Sequence, residues 1–367
     1  MRAIVIGAGV VGSAVAYRLA EAGAAVTILE ASRVGGGTSG ISFAWVNANN
    51  KPPRPYFDLN VAGMKAHAAV AEEFGRAPWY HPSGSLEWCS TPETQAAHRA
   101  KVERLRASGY AVDWITRDDL AELEPDIDLD RVGDAPISFC PEEGWIDPVV
   151  YANAMVKAAQ RRGAVLFDDC RVVDVVTRGG KAKGVRTADG SLHEADLVVN
   201  CAGRWADSVA EDPGLRLPLA PTIGFIVFSP PVATSVSHLI HSPEIHLRPD
   251  GAGRLMLRRN EFDGQVSLET PLDPTMPQAR EIMRRAGSLM PALRNVQAEA
   301  VRITARPIPK DGFSAVGPLP RVDNVYVVVT HSGVTLSPYL AHAVTDEIVH
   351  GRTRAELSDF RPSRFFN

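Results

Sequence analysis

The sequence predicts an α/β fold that contains a Rossmann-like domain. An apolar run at residues 3–6 suits a strand buried on both faces of a parallel sheet. A glycine-rich turn, a helix-forming stretch and a second apolar run at residues 26–29 follow it. The same order of strand, glycine-bearing turn and helix recurs at residues 325–348. This alternation is typical of parallel strands connected by helices.

The composition is that of a globular protein that acts on small molecules. The chain has 367 residues, of which 45% are hydrophobic and 22% charged. This length allows two or three domains. Lys and Arg number 39 against 43 Asp and Glu, which gives a formal net charge of −4. Because there is no basic excess, we predict no nucleic-acid partner.

Cysteine spacing and hydropathy predict the cellular setting. The four cysteines lack the paired Cys-x-x-Cys spacing of a zinc site, so we predict no metal. Their wide spacing also indicates no disulfide framework, which fits reduced cysteines in the cytoplasm. Arg18 and Glu21 interrupt the apolar N-terminus, and no run reaches the roughly 18 apolar residues of a membrane span. We therefore expect a cytoplasmic protein without a transmembrane segment, and peripheral membrane association stays open.

The glycine-rich turn at residues 7–12 has the pattern of a dinucleotide-binding motif. Gly7 permits a tight turn, Gly9 lets the backbone approach a diphosphate, and Gly12 allows the helix to pack closely on the strand. The N-terminus of the helix then faces the phosphate charge. Glu30 ends the second strand, where its carboxylate can accept hydrogen bonds from a ribose.

A second glycine-rich stretch distinguishes between two dinucleotides. It follows Glu30 at residues 31–40 and includes Gly37-Thr38-Ser39. Its glycines allow unusual backbone angles, and its hydroxyl groups can donate to phosphate or flavin oxygens. An NAD-binding domain has no evident need for this stretch, which therefore favours FAD. A flexible surface loop is the alternative interpretation.

From these motifs onward the chain resembles the FAD-dependent D-amino-acid oxidase superfamily, which includes glycine oxidase, sarcosine oxidase and D-amino-acid dehydrogenases. The resemblance covers nearly the whole chain. The segments that carry it are the opening motif with Glu30 and Gly37-Thr38-Ser39, Gly144 to Pro148, Asp196 to Trp205, and Arg306 to Pro338.

The resemblance implies FAD as the cofactor and indicates the residues that bind it. The adenine-side valine of the family falls on Val172, and the turn before the last helix would contact the pyrimidine edge of the flavin. The FAD is expected to be noncovalent, because no cysteine follows Cys201 and no histidine lies in Gly37-Thr38-Ser39. The implied FAD-binding residues are Gly7, Gly9, Val10, Val11, Gly12, Glu30, Ala31, Gly37, Thr38, Ser39, Val172, Cys201, Ala202, Gly203, Trp205, Gly333, Val334, Thr335 and Leu336.

The resemblance also implies two domains, each assembled from separated stretches of chain. The Rossmann-like FAD-binding domain is expected at residues 1–48, 145–213 and 306–367. A second, α+β substrate domain, built on an antiparallel sheet, is expected at residues 49–144 and 214–305. The strands predicted to complete the FAD-binding sheet lie at residues 164–167, 172–176, 184–187 and 197–199, and those predicted in the substrate domain at 238–247 and 254–259.

Arg306 and His246 are the candidate catalytic residues. Arg306 aligns with the arginine that binds the substrate carboxylate in the family, and a guanidinium can hold a carboxylate through two parallel hydrogen bonds. A structural ion pair is the alternative. His246 lies in a predicted substrate-domain strand, where an imidazole that titrates near neutrality would assist amine deprotonation. A half-solvated strand explains its position equally well.

Together these features predict an FAD-dependent enzyme that oxidises the C–N bond of a D-amino acid or a secondary, N-substituted amino acid. Hydride transfer to flavin N5 would give an imine, and hydrolysis a keto acid. The alternatives are a flavin-binding subunit of a hetero-oligomeric amine or opine dehydrogenase and, less favoured, an NAD-dependent dehydrogenase. Either O₂ or a quinone or other electron-transfer acceptor would reoxidise the flavin, and a homo- or hetero-oligomer is open.

Overall fold

The computed structural model describes residues 1–75, 77–210 and 212–366. The α-helices in these ranges are α1 (Val10–Glu21), α2 (Arg54–Glu73), α3 (Pro92–Ala107), α4 (Arg117–Leu123), α5 (Leu129–Val132), α6 (Pro148–Gln160), α7 (Pro277–Leu289) and α8 (Gly333–His350). Within the described ranges, no helix has the length and apolar character needed to cross a membrane.

The strands form four sheets. They are β1 (Arg2–Ile6), β2 (Ala25–Leu29), β3 (Trp45–Val46), β4 (Tyr80–His81), β5 (Ser85–Glu87), β6 (Asp113–Ile115), β7 (Ile137–Cys140), β8 (Gly144–Ile146), β9 (Val165–Phe167), β10 (Val172–Arg178), β11 (Lys181–Thr187), β12 (Leu192–Glu194), β13 (Leu197–Asn200), β14 (Thr222–Phe228), β15 (Leu239–His241), β16 (His246–Pro249), β17 (Leu255–Arg258), β18 (Ala300–Arg306), β19 (Ala315–Pro318) and β20 (Val325–Val329).

A six-stranded sheet has the Rossmann-like arrangement. Its strand order is β19-β20-β13-β1-β2-β9. The pairs β20–β13, β13–β1, β1–β2 and β2–β9 are parallel, and β19 pairs antiparallel with β20. Strands β13 and β20 are buried along their whole length, as expected for parallel strands covered on both faces. The predicted α/β fold class is therefore confirmed.

An eight-stranded, mostly antiparallel sheet forms the second large sheet of the structure. Its order is β18-β14-β17-β16-β15-β5-β7-β6, and all its pairs are antiparallel except β15–β5. Helix α7 packs its apolar face, which includes Ile282, Met283 and Leu289, into the core beside this sheet. This agrees with the predicted α+β part built on an antiparallel sheet.

Two strand predictions were wrong in detail. Strands β10, β11 and β12 do not extend the six-stranded sheet but form an antiparallel sheet of their own, because tight turns such as Gly179-Gly180 pair each strand with the next one. The stretch 238–247 is a hairpin of β15 and β16, not one strand. The Ser242 N–H donates to the Ile245 carbonyl (3.0 Å), and Pro243 has no N–H for a continuous ladder.

Helix α2 packs against α8, on the face of the six-stranded sheet that α1 and α6 also cover. Its contact with α8 requires a glycine, because a Cβ on Gly63 would lie 2.5 Å from the carbonyl oxygen of Thr335. The α2 side chains Tyr56, Phe57 and Met64 share one hydrophobic core with α1 and α8. Helix α2 falls in the range predicted for the substrate domain, residues 49–144, yet it shares this core with helices of the range predicted for the FAD-binding domain. The domain boundaries derived from the resemblance therefore stay a prediction.

Gly63→Ala tests this helix contact. At an exposed helix position this change stabilises a protein by about 1 kcal/mol. Here the added methyl group meets backbone at 2.5 Å, so we expect the free energy of unfolding to fall by about 1–3 kcal/mol. Unfolding in urea, monitored by circular dichroism, measures this free energy for the variant and the wild type. An alanine variant more stable than the wild type would contradict the observed packing of α2 on α8.

Candidate functional site

A cleft of about 590 Å³ opens at the carboxyl ends of the parallel strands. Its walls include residues at the ends of β1, β2, β13 and β20, together with the turn that follows each strand. In open α/β sheets, ligands bind at this edge because the turns there lead into helix N-termini. The cleft is therefore the candidate site for the predicted dinucleotide.

Most of the predicted FAD-binding residues line this cleft. Those that do are Gly7, Gly9, Val10, Val11, Glu30, Ala31, Gly37, Thr38, Ser39, Val172, Cys201, Ala202, Gly203, Trp205, Gly333 and Val334. They come from three distant parts of the sequence. The fold thus brings together the segments that the motifs indicated separately.

Three predicted residues do not line the cleft. Gly12 has the packing role expected of it, because a Cβ there would lie 2.0 Å from the carbonyl oxygen of Gly7. The Thr335 hydroxyl is buried and donates to the Trp45 carbonyl oxygen (3.2 Å). Leu336 is fully buried in the hydrophobic core. Thr335 and Leu336 therefore support the start of α8 from behind, since the helix turns their side chains away from the cleft.

Helix α1 presents free amide groups to the cleft. Its first amide, that of Val10, donates to the Ser39 Oγ (3.1 Å). The amides of Val11 and Gly12 have no acceptor among the described residues, and the first turn has no acidic side chain. An uncapped helix N-terminus carries about half a positive charge. This end of the cleft fits the diphosphate of a dinucleotide.

Glu30 is held by the neighbouring turns. Its carboxylate accepts hydrogen bonds from the backbone N–H of Ala8 (2.7 Å) and of Ser32 (3.0 Å). The Ser32 hydroxyl also donates to this carboxylate (3.3 Å). A carboxylate offers about four acceptor positions, so about one remains for a ribose hydroxyl group. The two backbone bonds fix the direction in which these positions point.

Helix α8 presents a second uncapped N-terminus to the same cleft. The N-cap residue is Ser332, but its hydroxyl group is bonded to the Tyr56 hydroxyl (2.7 Å) and makes no bond to the helix amides. Gly333 and Val334 line the cleft, and their amides have no acceptor within the described chain. Two positive helix ends thus face one elongated cleft, an arrangement that fits the diphosphate and the electron-accepting ring of FAD.

Sequence reasoning missed several residues that line the cleft. They are Ser32, Ser42, Arg171, Val173, Arg204, Ser208, Val209, Pro307 and His331, among others. His331 lies in the turn between β20 and α8, which the resemblance placed at the pyrimidine edge of the flavin, but His331 itself was not named among the binding residues. The residues near 171 and 208 lie outside any motif, and only the fold shows their position.

Arg306 lies at the end of β18, next to Pro307 in the wall of the cleft. Its guanidinium donates to the Ile223 carbonyl oxygen (2.5 Å) and to the Asp263 carboxylate (2.6 Å). The side chain is 22% exposed, and its Nε–H has no acceptor in the described structure. Arg306 therefore takes part in an ion pair and keeps a free donor for a ligand.

Asp263 links two arginines at this position. Its carboxylate pairs with Arg306 (2.6 Å) and Arg258 (3.3 Å) and accepts a hydrogen bond from the Phe225 N–H (2.9 Å). One negative charge lies between two positive charges, so an excess positive charge remains. Such a group attracts an anion and fixes the orientation of the arginine that binds it.

His246 does not have the properties predicted for it. It does not line the cleft, and its Nδ1 forms a hydrogen bond with the Nδ1 of His241 (3.0 Å). Burial, followed by the positive charge of Arg258, lowers the pKa of His246 to about 3. The expectation of a ring that titrates near neutrality was therefore wrong, because burial beside an arginine disfavours the imidazolium.

Comparison with known proteins agrees with the cleft geometry. The DAO family, described as FAD dependent oxidoreductase, matches residues 2–347. Glycine oxidase of Bacillus subtilis (strain 168) is 25% identical over 371 residues, covering 99% of this chain and 97% of that protein. Human mitochondrial dimethylglycine dehydrogenase is 24% identical over 392 residues, covering 99% of this chain and 44% of that protein.

Among solved structures, glycine oxidase from Geobacillus kaustophilus superposes with a TM-score of 0.86 at 23% identity, covering 99% of this chain and 98% of that one. L-Proline dehydrogenase from P. horikoshii superposes with a TM-score of 0.85 at 22% identity, with coverages of 99% and 97%. Because these identities are low, the two superpositions establish the fold alone.

The chain belongs to the DAO family and is an FAD-dependent oxidoreductase. The resemblance to the D-amino-acid oxidase superfamily and the prediction of FAD are confirmed. The match to an FAD family also decides against the NAD-dependent alternative.

Gly7→Ala tests the position of the diphosphate. Gly7 has φ +93°, and a Cβ there would lie 2.8 Å from the Cys201 carbonyl oxygen. Gly23→Ala is a matched control, because Gly23 has φ +86° and no atom within 4 Å of its Cβ position. Both variants lose about 1 kcal/mol of stability from the left-handed backbone. Only Gly7→Ala should also bind FAD more weakly, with an affinity at least about tenfold lower than that of the wild type.

Flavin released on denaturation, divided by protein concentration, measures the FAD content of both variants. Equal FAD content in Gly7→Ala and Gly23→Ala would show that the turn at Gly7 does not contact the cofactor.

The low pKa of His246 makes a prediction about acid stability. An unfolded histidine binds its proton near pH 6.5, and the folded His246 near pH 3. The unfolded state therefore binds more protons as the pH falls from about 6.5 towards 3, and the free energy of unfolding decreases over this window. His246→Asn removes this contribution, so its stability should fall less than that of the wild type between pH 7 and 5, by about 1–2 kcal/mol.

Urea unfolding at both pH values measures the difference. His350→Asn, an exposed position at the end of α8, serves as the control. If His246→Asn and His350→Asn lose stability equally on acidification, the low pKa of His246 is wrong.

Proposed function

We propose that this protein oxidises the C–N bond of an amino acid to an imine, with Arg306 holding the substrate carboxylate beside FAD. The preferred class is a D-amino acid or an N-substituted amino acid. The observation that carries the proposal is the Arg306 guanidinium. Arg306 precedes Pro307 in the cleft wall and acts through its charge on His331, which lines the cleft, and its Nε–H has no acceptor among the described residues.

The bonds of Arg306 support a positioning role. The Ile223 carbonyl and the Asp263 carboxylate hold one side of the guanidinium, and the plane of the side chain lies over Gly224, whose Cβ position is 3.0 Å from Nη2. A fixed, planar donor group orients a carboxylate better than a mobile one, because less conformational entropy is lost on binding. The oriented substrate would present its Cα–H bond to the flavin.

The charges around the site favour the reactive form of the substrate. Only a neutral amine has the lone pair that forms the C=N bond. Positive groups near the amine, among them Arg306 and Arg258, lower the pKa of its ammonium form. Burial and these same charges lower the pKa of His331 in the cleft wall to about 4, so this ring is neutral at physiological pH.

When bound, FAD would supply the two-electron acceptor for the hydride that leaves Cα. The amine lone pair forms the C=N bond as the hydride leaves, and one N–H proton is released. Water then hydrolyses the imine to a carbonyl compound and the free amine or ammonia. For an N-substituted substrate, hydrolysis releases the amine that carried the substituent.

The names of the relatives support an amino-acid substrate. Glycine oxidase is named for a primary amino acid, and dimethylglycine dehydrogenase for an N-methylated one. Both names describe compounds with a carboxylate next to the C–N bond. A carboxylate is the group that Arg306 is suited to bind.

Arg306→Ala tests the assignment of the carboxylate-binding residue. Loss of a charge-assisted hydrogen bond should raise the KM for carboxylate substrates by about 10- to 100-fold while FAD stays bound. Arg302→Ala, an exposed position on the same strand, is the matched control. Steady-state kinetics with O₂ or an artificial dye as acceptor measures both variants.

The substrate panel contains D-amino acids, L-amino acids and N-alkyl amino acids, tested anaerobically by bleaching of the flavin. Bleaching by a D-amino acid or N-substituted amino acid, and its loss in Arg306→Ala, would support the proposal. Equal KM values for Arg306→Ala and Arg302→Ala would contradict it.

A further inference from the structure

Arg204 is a cationic side chain in the wall of the cofactor cleft. It lies in the turn that follows β13, where Arg204 and the neighbouring Trp205 both line the cleft. The guanidinium carbon of Arg204 lies over the Trp205 ring, 4.4 Å from its centroid. Arg204 is partly exposed and makes no hydrogen bond or ion pair among the described residues, so its N–H donors are available to a ligand in the cleft.

The turn that carries Arg204 is fixed by the buried side chain of Asn200. Its amide group connects the two ends of the turn, because Oδ1 accepts from the Ala202 N–H (3.1 Å) and Nδ2 donates to the Ala206 carbonyl oxygen (2.9 Å). Between these bonds, Gly203 supplies a left-handed backbone conformation with φ +57°. The place of Arg204 in the cleft wall is therefore set by the buried end of β13.

Trp205 places Arg204 at the end of the cleft where α1 begins. The indole packs against Gly37, where a Cβ would lie 3.1 Å from the ring. Two residues further along the chain, the Ser39 Oγ accepts a hydrogen bond from the Val10 N–H, the first amide of α1 (3.1 Å). Packing contacts thus connect Arg204 and Trp205 with the helix N-terminus that fits the diphosphate of FAD.

The charges of the cleft wall favour an anion beside Arg204. Among the described residues that line the cleft, the charged side chains are Glu30, Arg171 and Arg204, while burial lowers the pKa of His331 to about 4 and leaves that ring neutral. Arg171 follows Cys170, whose N–H donates to the Glu30 carbonyl oxygen (2.8 Å), so Arg171 lies towards the ribose end. Arg204 is therefore the cation on the diphosphate side.

We propose that Arg204 binds the diphosphate of FAD and that Trp205 holds its guanidinium in position. The free amides of α1 supply only about half a positive charge. A guanidinium adds a full charge, and its planar set of N–H groups matches the oxygens of a phosphate. This role concerns the cofactor and is independent of the amino acid that the enzyme oxidises.

Arg204→Met tests this role, because it removes the charge and keeps much of the side-chain volume. The affinity for FAD is measured by dilution of the holoenzyme, with flavin fluorescence reporting the released fraction. We expect the Kd for FAD to rise by about tenfold. Arg204→Lys should raise it less, because lysine keeps the charge but lacks the planar fork.

Arg99→Met is the matched control. Arg99 is exposed and also lies over a tryptophan ring, that of Trp114 (5.8 Å), but neither residue belongs to the cleft wall. Arg99→Met should keep the FAD affinity of the wild type. An equal Kd for FAD in Arg204→Met and Arg99→Met would overturn the proposal.

ADP-ribose distinguishes the diphosphate from the flavin ring, because it has the adenosine and the diphosphate of FAD but no isoalloxazine. Its Kd follows from the concentration that displaces FAD from the holoenzyme. If Arg204 binds the diphosphate, Arg204→Met weakens the binding of ADP-ribose and of FAD by the same factor. A weaker affinity for FAD alone would assign Arg204 to the flavin half and contradict the proposal.

Ionic strength tests the charge without a substitution. Salt screens a contact between a phosphate and a partly exposed guanidinium. Raising KCl from about 0.05 M to about 0.5 M should therefore raise the Kd for FAD more in the wild type than in Arg204→Met. The same salt dependence in both proteins would contradict a charge contact.

A double-mutant cycle tests the positioning role of Trp205. If Trp205 acts through Arg204, adding Trp205→Leu to Arg204→Met should weaken FAD binding by less than the product of the two single effects. Effects that multiply fully would show that Trp205 does not hold Arg204 for the cofactor.

Discussion

The structure depends on the direction of two helices whose N-termini end at the same cleft. Neither α1 nor α8 is capped by its own N-cap side chain: the Ser332 hydroxyl is bonded to Tyr56, and α1 has Gly9 at its N-cap. Free amides at a buried helix end are unfavourable unless a ligand accepts their hydrogen bonds. The FAD of this family supplies such acceptors, so the fold and the cofactor stabilise each other.

The substrate side of the site depends on a different balance of charge. Asp263 pairs with both Arg306 and Arg258, so one negative charge faces two positive charges. This excess positive charge attracts carboxylates and disfavours protonated amines. In the proposed function, the same electrostatic imbalance serves both the binding of the substrate carboxylate and the deprotonation of the amine that oxidation requires.

The sequence contained enough information for the fold and for most of the cofactor cleft. Gly7, Gly9 and Glu30 belong to a local pattern of strand, turn and helix, and all three line the cleft. Such a local pattern can be recognised in the sequence without knowledge of the tertiary structure. Asp263 has no such pattern. Its role arises from contacts between distant segments, such as the pairing of β14 with β18, which places Arg306 next to residues 222–224. The expected titration of His246 near neutrality was wrong because burial, which the sequence does not show, lowers its pKa.

The midpoint potential of the bound flavin tests the central claim most directly, because it reports the electrostatic field at the ring. If the N-terminus of α8 and the cationic groups near His331 face the isoalloxazine, they stabilise the reduced, more negative form of the flavin more than the oxidised form. The account predicts a potential higher than that of free FAD measured under the same conditions. A potential equal to or below that of free FAD would contradict it.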